Sequence, residues 1–251
     1  MGSASFILAN VAAGFLLNRI AHEHLIWVMV APLAGTAFAA LLLARSAGGH
    51  PLVAQEPASE ASLWRSPFFV GIILAASLVQ ASHAVFYGFS TVHWATKGLG
   101  GATIGALWGL GVVAEILLFA LAERLPGGLS GVKLIVIGAV GAVLRWSLMA
   151  LDPPTAALPT IQCLHALSFA ATHLGAMQFL AGVVPARRGV TAQGDFATLQ
   201  AVTMALAMAS SGALFAAYGS LAYAAMAVLA AAGGAIAVAA WRHPNGPATI
   251  R

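Results

Sequence analysis

Charge is scarce in this sequence. Its 251 residues hold 11 lysines and arginines and 7 aspartates and glutamates, 7% of the chain, where a soluble domain carries roughly 25%. That shortage excludes a soluble globular protein. Cysteine is all but missing: Cys163 stands alone, so no internal disulfide forms and nothing is said about redox compartment. The formal net charge of +4 is small and spread over short loops, which argues against nucleic acid as a partner. The constellations of a soluble enzyme are absent too. "GLGG" at Gly98 to Gly101 neither follows a strand nor precedes a basic phosphate-binding residue, so no nucleotide loop is indicated. His165 and His173 are eight residues apart, and no neighbouring carboxylate or cysteine completes a metal site. No catalytic residue, metal or cofactor is expected, and the chain is not expected to be an enzyme. The first apolar run does not read as a signal peptide, because no basic residue precedes it and Asn18 and Arg19 stand where small cleavage-site residues belong.

Apolar sequence is what the chain has in quantity: 61% of its residues are hydrophobic. They fall into eight stretches, Ser3 to Leu17, Leu25 to Ala44, Pro67 to Ala95, Thr103 to Ala122, Val132 to Leu151, Leu158 to Val184, Phe196 to Ala217 and Leu221 to Trp241. A bilayer core of ~30 Å needs about 20 helical residues, and all but the first stretch reach or approach that length. The expectation is an all-α membrane protein of eight transmembrane helices. Its 27 glycines and runs of alanine suit helices that pack closely in lipid. The long third and sixth stretches have room to kink, with Gly88 and Gly175 as candidate positions.

Orientation follows from the loops. If the first helix starts in the cytoplasm, Arg45, Arg65, Arg124, Lys133, Arg187, Arg188, Arg242 and Arg251 fall inside, and only Arg19 and Lys97 fall outside. This positive-inside bias places both termini in the cytoplasm. "RSAGGHPLVAQEPASEASLWR", from Arg45 to Arg65, has proline, glycine, serine and glutamate and no periodic apolar face. It reads as a flexible cytoplasmic linker. The organisation is then a two-helix piece at residues 1–44, the linker at 45–66, a six-helix piece at 67–242 and a cytoplasmic tail at 243–251.

Within the apolar stretches stand Asn10, Gln80, His83, Tyr87, Glu115, Arg145, Gln162, His165, His173, Gln178 and Gln200. An ionisable group there costs ~3 kcal/mol on insertion scales, so it faces the bundle interior or a water-filled cavity. Glu115 lies nine residues from Arg124 and Arg145 twelve from Lys133, which puts them ~13 and ~18 Å along their helices. These helices are neighbours in sequence, and a direct Glu115–Arg145 pair is expected. Such a pair is either a structural clasp, costly to break on one side, or a proton-coupling site in which Glu115 takes up and releases a proton. Gln80, His83 and Tyr87 at i, i+3 and i+7 form one polar stripe, within about 60° on the helical wheel. Gln162, His165 and His173 form a second, within about 80° and with Phe169 between them. Each histidine alone fits helix-to-helix hydrogen bonding. The two stripes together fit a cavity for a small, partly polar solute, to which histidine adds a group titrating near neutral pH.

Three segments carry a resemblance. "SLVQASHAVFYGFSTVHWATKGLGGATIGALWGLGVVAEILLFALAERL" at Ser77 to Leu125, "VGAVLRWSLMA" at Val140 to Ala150 and "QCLHALSFAATHLGAMQFL" at Gln162 to Leu180 resemble the phenylpropionate-permease-like branch of the major facilitator superfamily. The opening "GSASFILANVAAGFLLNRI" resembles the fifth helix of that branch, whose members are twelve-helix transporters related to nucleoside- and sugar-proton symporters. The matching positions are Ser82, His83, Ala84, Phe86, Tyr87, Gly88, Phe89 and Ser90, then Gly111 to Glu115, Arg145 with Trp146, Gln162 to His165, and His173. Val85 and Phe86 stand where a small residue and a tyrosine are usual. The resemblance implies the last eight of twelve helices, with a complete C-terminal half and two helices of the N-terminal half, as in a fragment. It further implies proton-coupled secondary transport of a small organic solute, an aromatic acid, nucleoside or sugar, in a bacterial-type inner membrane. The implied partners are solute, proton and membrane lipid, with a separate polypeptide supplying the missing helices as a further option. The alternative is a non-transporting membrane protein of the same fold.

Overall fold

A computed structural model describes residues 24–46, 63–124 and 129–242. The expected helix from Ser3 to Leu17, the middle of the linker and the tail lie outside these residues. Among the described residues the chain is helical throughout, with no strand. The first helix, α1 (Leu25–Ser46), has exposed side chains wherever they are described. The remaining helices are α2 (Pro67–Ala81), α3 (Ala84–Thr96), α4 (Gly101–Ala120), α5 (Gly131–Ala150), α6 (Leu158–Cys163), α7 (Thr172–Val183), α8 (Gly189–Tyr218) and α9 (Ala222–Arg242). Ser66 and Ser130 cap α2 and α5, their hydroxyls accepting from the backbone N–H groups of Phe69 and Lys133.

Five helical stretches are long and apolar enough to cross a membrane by length and composition: Pro67–Thr96, Gly101–Ala120, Gly131–Ala150, Thr155–Val183 and Ala186–Arg242. In lipid the helix answers every backbone polar group internally, which is why such sequence folds this way. The last stretch runs 57 residues, and as one rod would measure ~86 Å, far more than a bilayer core. It divides at Gly219, whose φ of +54° suits the residue with no Cβ. Contacts with the α2–α3 unit give the directions of the two halves. Ser77 meets Thr203 and Phe89 meets Phe215 in ascending order, so α8 runs parallel to that unit. Gly71 lies against Ala240 and Val79 against Gly233, so α9 runs antiparallel.

Both long stretches are interrupted, at positions other than the expected glycines. The third breaks at Ser82–His83, between α2 and α3. The sixth has a π-helical segment, Ala166–Ala171, between α6 and α7. Gly88 lies inside α3, and Gly175 serves close packing, since a Cβ on it would run into the backbone of Gly131 on α5. Glycine here lets helices approach, while the bends sit beside the polar side chains.

A second expectation also fails. Helices α4 and α5 follow one another in sequence, yet the π segment packs against both of them and stands between them. One apolar cluster fills one end of the bundle around Phe69, Phe179 and Phe196. Another gathers around Trp94, Trp146, Leu158 and Tyr223.

Candidate functional site

The polar residues read from the sequence converge on Arg145. Its side chain is fully buried, and its guanidinium donates to His165 Nδ1 at 2.9 Å, Ser168 Oγ at 3.2 Å and Gln162 Oε1 at 2.7 Å. The cation also lies over the rings of Phe86 and Trp146, 4.4 and 4.7 Å from their centroids. Two aromatic faces and three acceptors replace the water this charge has lost.

The directions of these bonds fix the histidine tautomers. Arginine only donates, so His165 Nδ1 is the acceptor and the neutral ring carries its hydrogen on Nε2. That nitrogen faces Glu115 Oε2 at 3.7 Å. Gly111, one turn before Glu115, lies against the same ring, close enough that a Cβ there would be in van der Waals contact with His165. His83 has the opposite arrangement. Its Nδ1 lies 3.0 Å from the Gln80 carbonyl, an acceptor only, and its Nε2 lies 3.2 Å from Ser168 Oγ. Ser168 therefore receives a hydrogen bond from Arg145 and donates one to His83. Gln80 is buried and donates from Nε2 to the Phe169 carbonyl at 3.3 Å, in the π segment where regular backbone pairing is relaxed.

Glu115 and Arg145 thus do not touch; His165 stands between them. The direct pair expected from sequence is absent because the π segment occupies the space between α4 and α5. The first stripe is drawn together around Ser168 through Gln80 and His83, with Tyr87 stacked 5.6 Å from His83 and 38% exposed. In the second, Gln162 and His165 bind Arg145. His173 stands further along, half-buried, 6.2 Å from Phe169, which in turn stacks on His165 at 5.0 Å. Phe119 on α4 meets His173 at 6.3 Å. Of the other polar residues, Gln178 is exposed and Gln200 half-buried, and Asn10 lies outside the described residues.

Sequence reasoning missed Ser168, the hub between Arg145 and His83. It follows His165 by three residues, a neighbouring position on a helix, but small hydroxyl residues are common where membrane helices pack, so a serine does not stand out as histidine or glutamine does. Three buried atoms of the cluster, Arg145 Nε, Gln162 Nε2 and Gln80 Oε1, have no protein partner, so it retains two donors and an acceptor. Among the described residues no group of three or more histidines, cysteines and acids is placed to hold a metal.

The chain is 28% identical over 225 residues to the probable 3-phenylpropionic acid transporter of Escherichia coli (strain K12), an alignment covering 86% of this chain and 55% of that protein. The chain thus spans about half the length of the curated relative it matches. No solved structure matches it. The MFS_1 like family matches residues 1–231, nearly the whole sequence, and the chain therefore belongs to that family of the major facilitator superfamily of membrane transport proteins.

Proposed function

We propose that the chain carries the C-terminal half of a secondary transporter, coupled to protons, for a small organic solute, with an aromatic acid as first candidate. The observation that supports this best is the relay from Glu115 through His165 to Arg145. His165 holds a hydrogen toward the carboxylate and a lone pair toward the guanidinium, so a proton binds Nδ1 only if Arg145 releases it. Proton uptake and the freeing of a cation are thereby the same event. A freed guanidinium beside Phe86 and Trp146 suits a solute with a carboxylate and an aromatic ring, and the Escherichia coli relative is named for such a solute. Tyr87, Glu115 and His173 lie at the less buried edge of the cluster, where a solute arrives. Tyr87 and His173 complete the cavity wall; Gln80, His83 and Gln162 hold the relay in place.

The same proposal covers the eight-helix count, the division at residues 45–66, and an inner-membrane location with both termini cytoplasmic. Support for the topology comes from Lys97 and Asp152, whose ion pair puts the turn after α3 and the turn after α5 at the same end of the bundle, as alternating spans require. A second reading, a non-transporting protein or one half of a two-chain transporter, is favoured by the 55% coverage of the relative.

Uptake of labelled 3-phenylpropionate by cells making the chain separates these readings. Glu115→Gln is expected to abolish accumulation driven by a proton gradient while leaving counterflow down the solute gradient. Unchanged accumulation in the variant sinks the coupling role. Binding without uptake by the unaltered chain favours the second reading. Topology is checked by cysteine labelling in a Cys163→Ser background: external reagent should reach a cysteine at Lys97 and not one at Arg124 or Arg187.

A further inference from the structure

Helix α5 has a second face of interest. Arg145 points into the polar cluster, while Val136, Val140, Val143 and Ser147 lie on the opposite side of the helix, roughly 140–180° away at 100° per residue. Together with α9 they form an open groove of about 770 Å³, lined by twelve residues from Val136 to Arg242. This lies within the roughly 300–1,000 Å³ of ligand sites. Of its lining, only Ser147 and Arg242 have polar side chains.

We infer that this groove seats one acyl chain of an anionic phospholipid, with the headgroup held by Arg242. Three observations choose that occupant. The first is the rim. Val140 is 64% exposed and Leu144 49%, so the open side suits hydrocarbon rather than water. The second is length. The groove takes Val136 to Ser147 from α5 and Ala231 to Arg242 from α9, and the two helices are antiparallel, with Gly234 against Ala139 and Trp146 stacked on Tyr223. Arg242 is then level with the start of α5, and the groove extends about sixteen steps to Ser147, or ~24 Å, most of a hydrocarbon core ~30 Å thick and room for one extended acyl chain below a headgroup. The third is charge. Arg242 is the last residue of α9, where a membrane-spanning helix meets the headgroups. The acidic side chains described elsewhere are engaged away from it, Glu115 facing His165, Asp152 binding His93 and Lys97, and Asp195 accepting from Trp64. A lipid phosphate complements this cation. Close packing makes the groove deep: Gly234 on α9 faces Ala139 so tightly that a Cβ would stand 2.9 Å from it, and the two small residues form the floor. The proposed orientation places Arg242 at the cytoplasmic leaflet, where anionic lipid concentrates. The groove's use of lipid does not depend on transport.

Native mass spectrometry of the purified 251-residue chain, extracted from vesicles of equal phosphatidylglycerol and phosphatidylethanolamine, tests this directly. The unaltered protein is expected to retain one lipid, enriched in phosphatidylglycerol. Arg242→Gln should lower that preference about fivefold, the worth of one cation near an anionic surface, without changing total retention. Ala235→Phe, or Val140→Trp from the opposite wall, should lower retention of both lipids, and the exposed rim positions of both residues keep these variants folded, as helix content by circular dichroism will show. Equal retention of the two lipids by the unaltered chain overturns the headgroup assignment. Undiminished retention in folded groove-filled variants overturns the acyl site, and so does disulfide-linked dimer formation by Val140→Cys in membranes, which would make a second copy the occupant.

Discussion

Two histidine–carboxylate pairs among the described residues can be set side by side, and the tighter one is the less consequential. His93 Nε2 meets Asp152 Oδ1 at 2.7 Å, with Lys97 on the same carboxylate, and the two side chains are 18% and 47% exposed. His165 Nε2 meets Glu115 Oε2 at 3.7 Å, with Arg145 on the ring's other nitrogen, and these side chains are 9% and 16% exposed. The first pair ties two turns together at the end of the bundle, where water and salt screen it. The second lies among apolar helices, where a charge has no solvent to fall back on and an unpaired polar atom costs more than a paired one gains. Distance ranks these pairs one way and environment the other.

The largest expected effect lies at the buried end. Arg145→Ala removes the donor to His165, Ser168 and Gln162 at once and exposes a void beside Phe86 and Trp146. Its expected cost is about 3–5 kcal/mol, the scale for breaking a buried charged network from one side, seen as a large loss of thermal stability in detergent. Retention of full stability would mean that water replaces the guanidinium. His165→Ala is expected to cost less, about 1–3 kcal/mol, because Arg145 keeps two of its three acceptors. Glu115→Gln, at 3.7 Å and toward the open edge, should cost less again, and should be milder than Arg145→Ala in the same assay. At the exposed end, Asp152→Asn should cost about 1 kcal/mol or less. Asparagine tolerates the left-handed backbone that Asp152 adopts, with φ of +51°, so the substitution reports on charge alone. An Asp152→Asn cost equal to that of His165→Ala would erase the contrast.

How far the site was legible in the sequence follows from what each signal measures. Hydropathy and length located the outer ends of the seven described apolar stretches within a few residues, apart from α8, which begins at Gly189 rather than near Phe196, but not the breaks that divide the third and the sixth. Helical spacing grouped Gln80 with His83 and Gln162 with His165 correctly, because neither pair spans the π segment. Spacing was not applied to Ser168, because a serine in an apolar helix carries no charge and no ring to single it out. Depth along the helices was sound for Glu115 and Arg145, but order in the chain says nothing about which helix stands between two others. The error therefore fell on the partner rather than on the residues. The third and sixth stretches do kink as expected, but the bends sit at other residues for a related reason. Glycine is the usual sequence marker of a kink, and here Gly131, Gly138 and Gly175 are spent on close helix contact, while the breaks occur at His83 and around Ser168.

The smallest effect is the pH dependence of the exposed pair, and its sign is fixed by the Asp152 carboxyl. The hydrogen bond from Lys97, with His93 adding to it, holds that carboxyl below the usual aspartate range. A group whose pKa is lower in the folded protein adds stability that is fully present above its unfolded value of ~3.9 and is lost as pH falls through the folded value. The stability difference between the unaltered protein and Asp152→Asn should therefore be at its full size well above the unfolded value and shrink as acidification carries the pH below it and through the lower folded value. Because the pair is exposed, the difference at neutral pH should also shrink at 1 M salt, where screening acts over ~3 Å. Thermal unfolding of both proteins at pH 7 and pH 3, in low and high salt, measures all of this. A difference that survives both acid and salt would show that the charge of Asp152 is not what separates the two proteins.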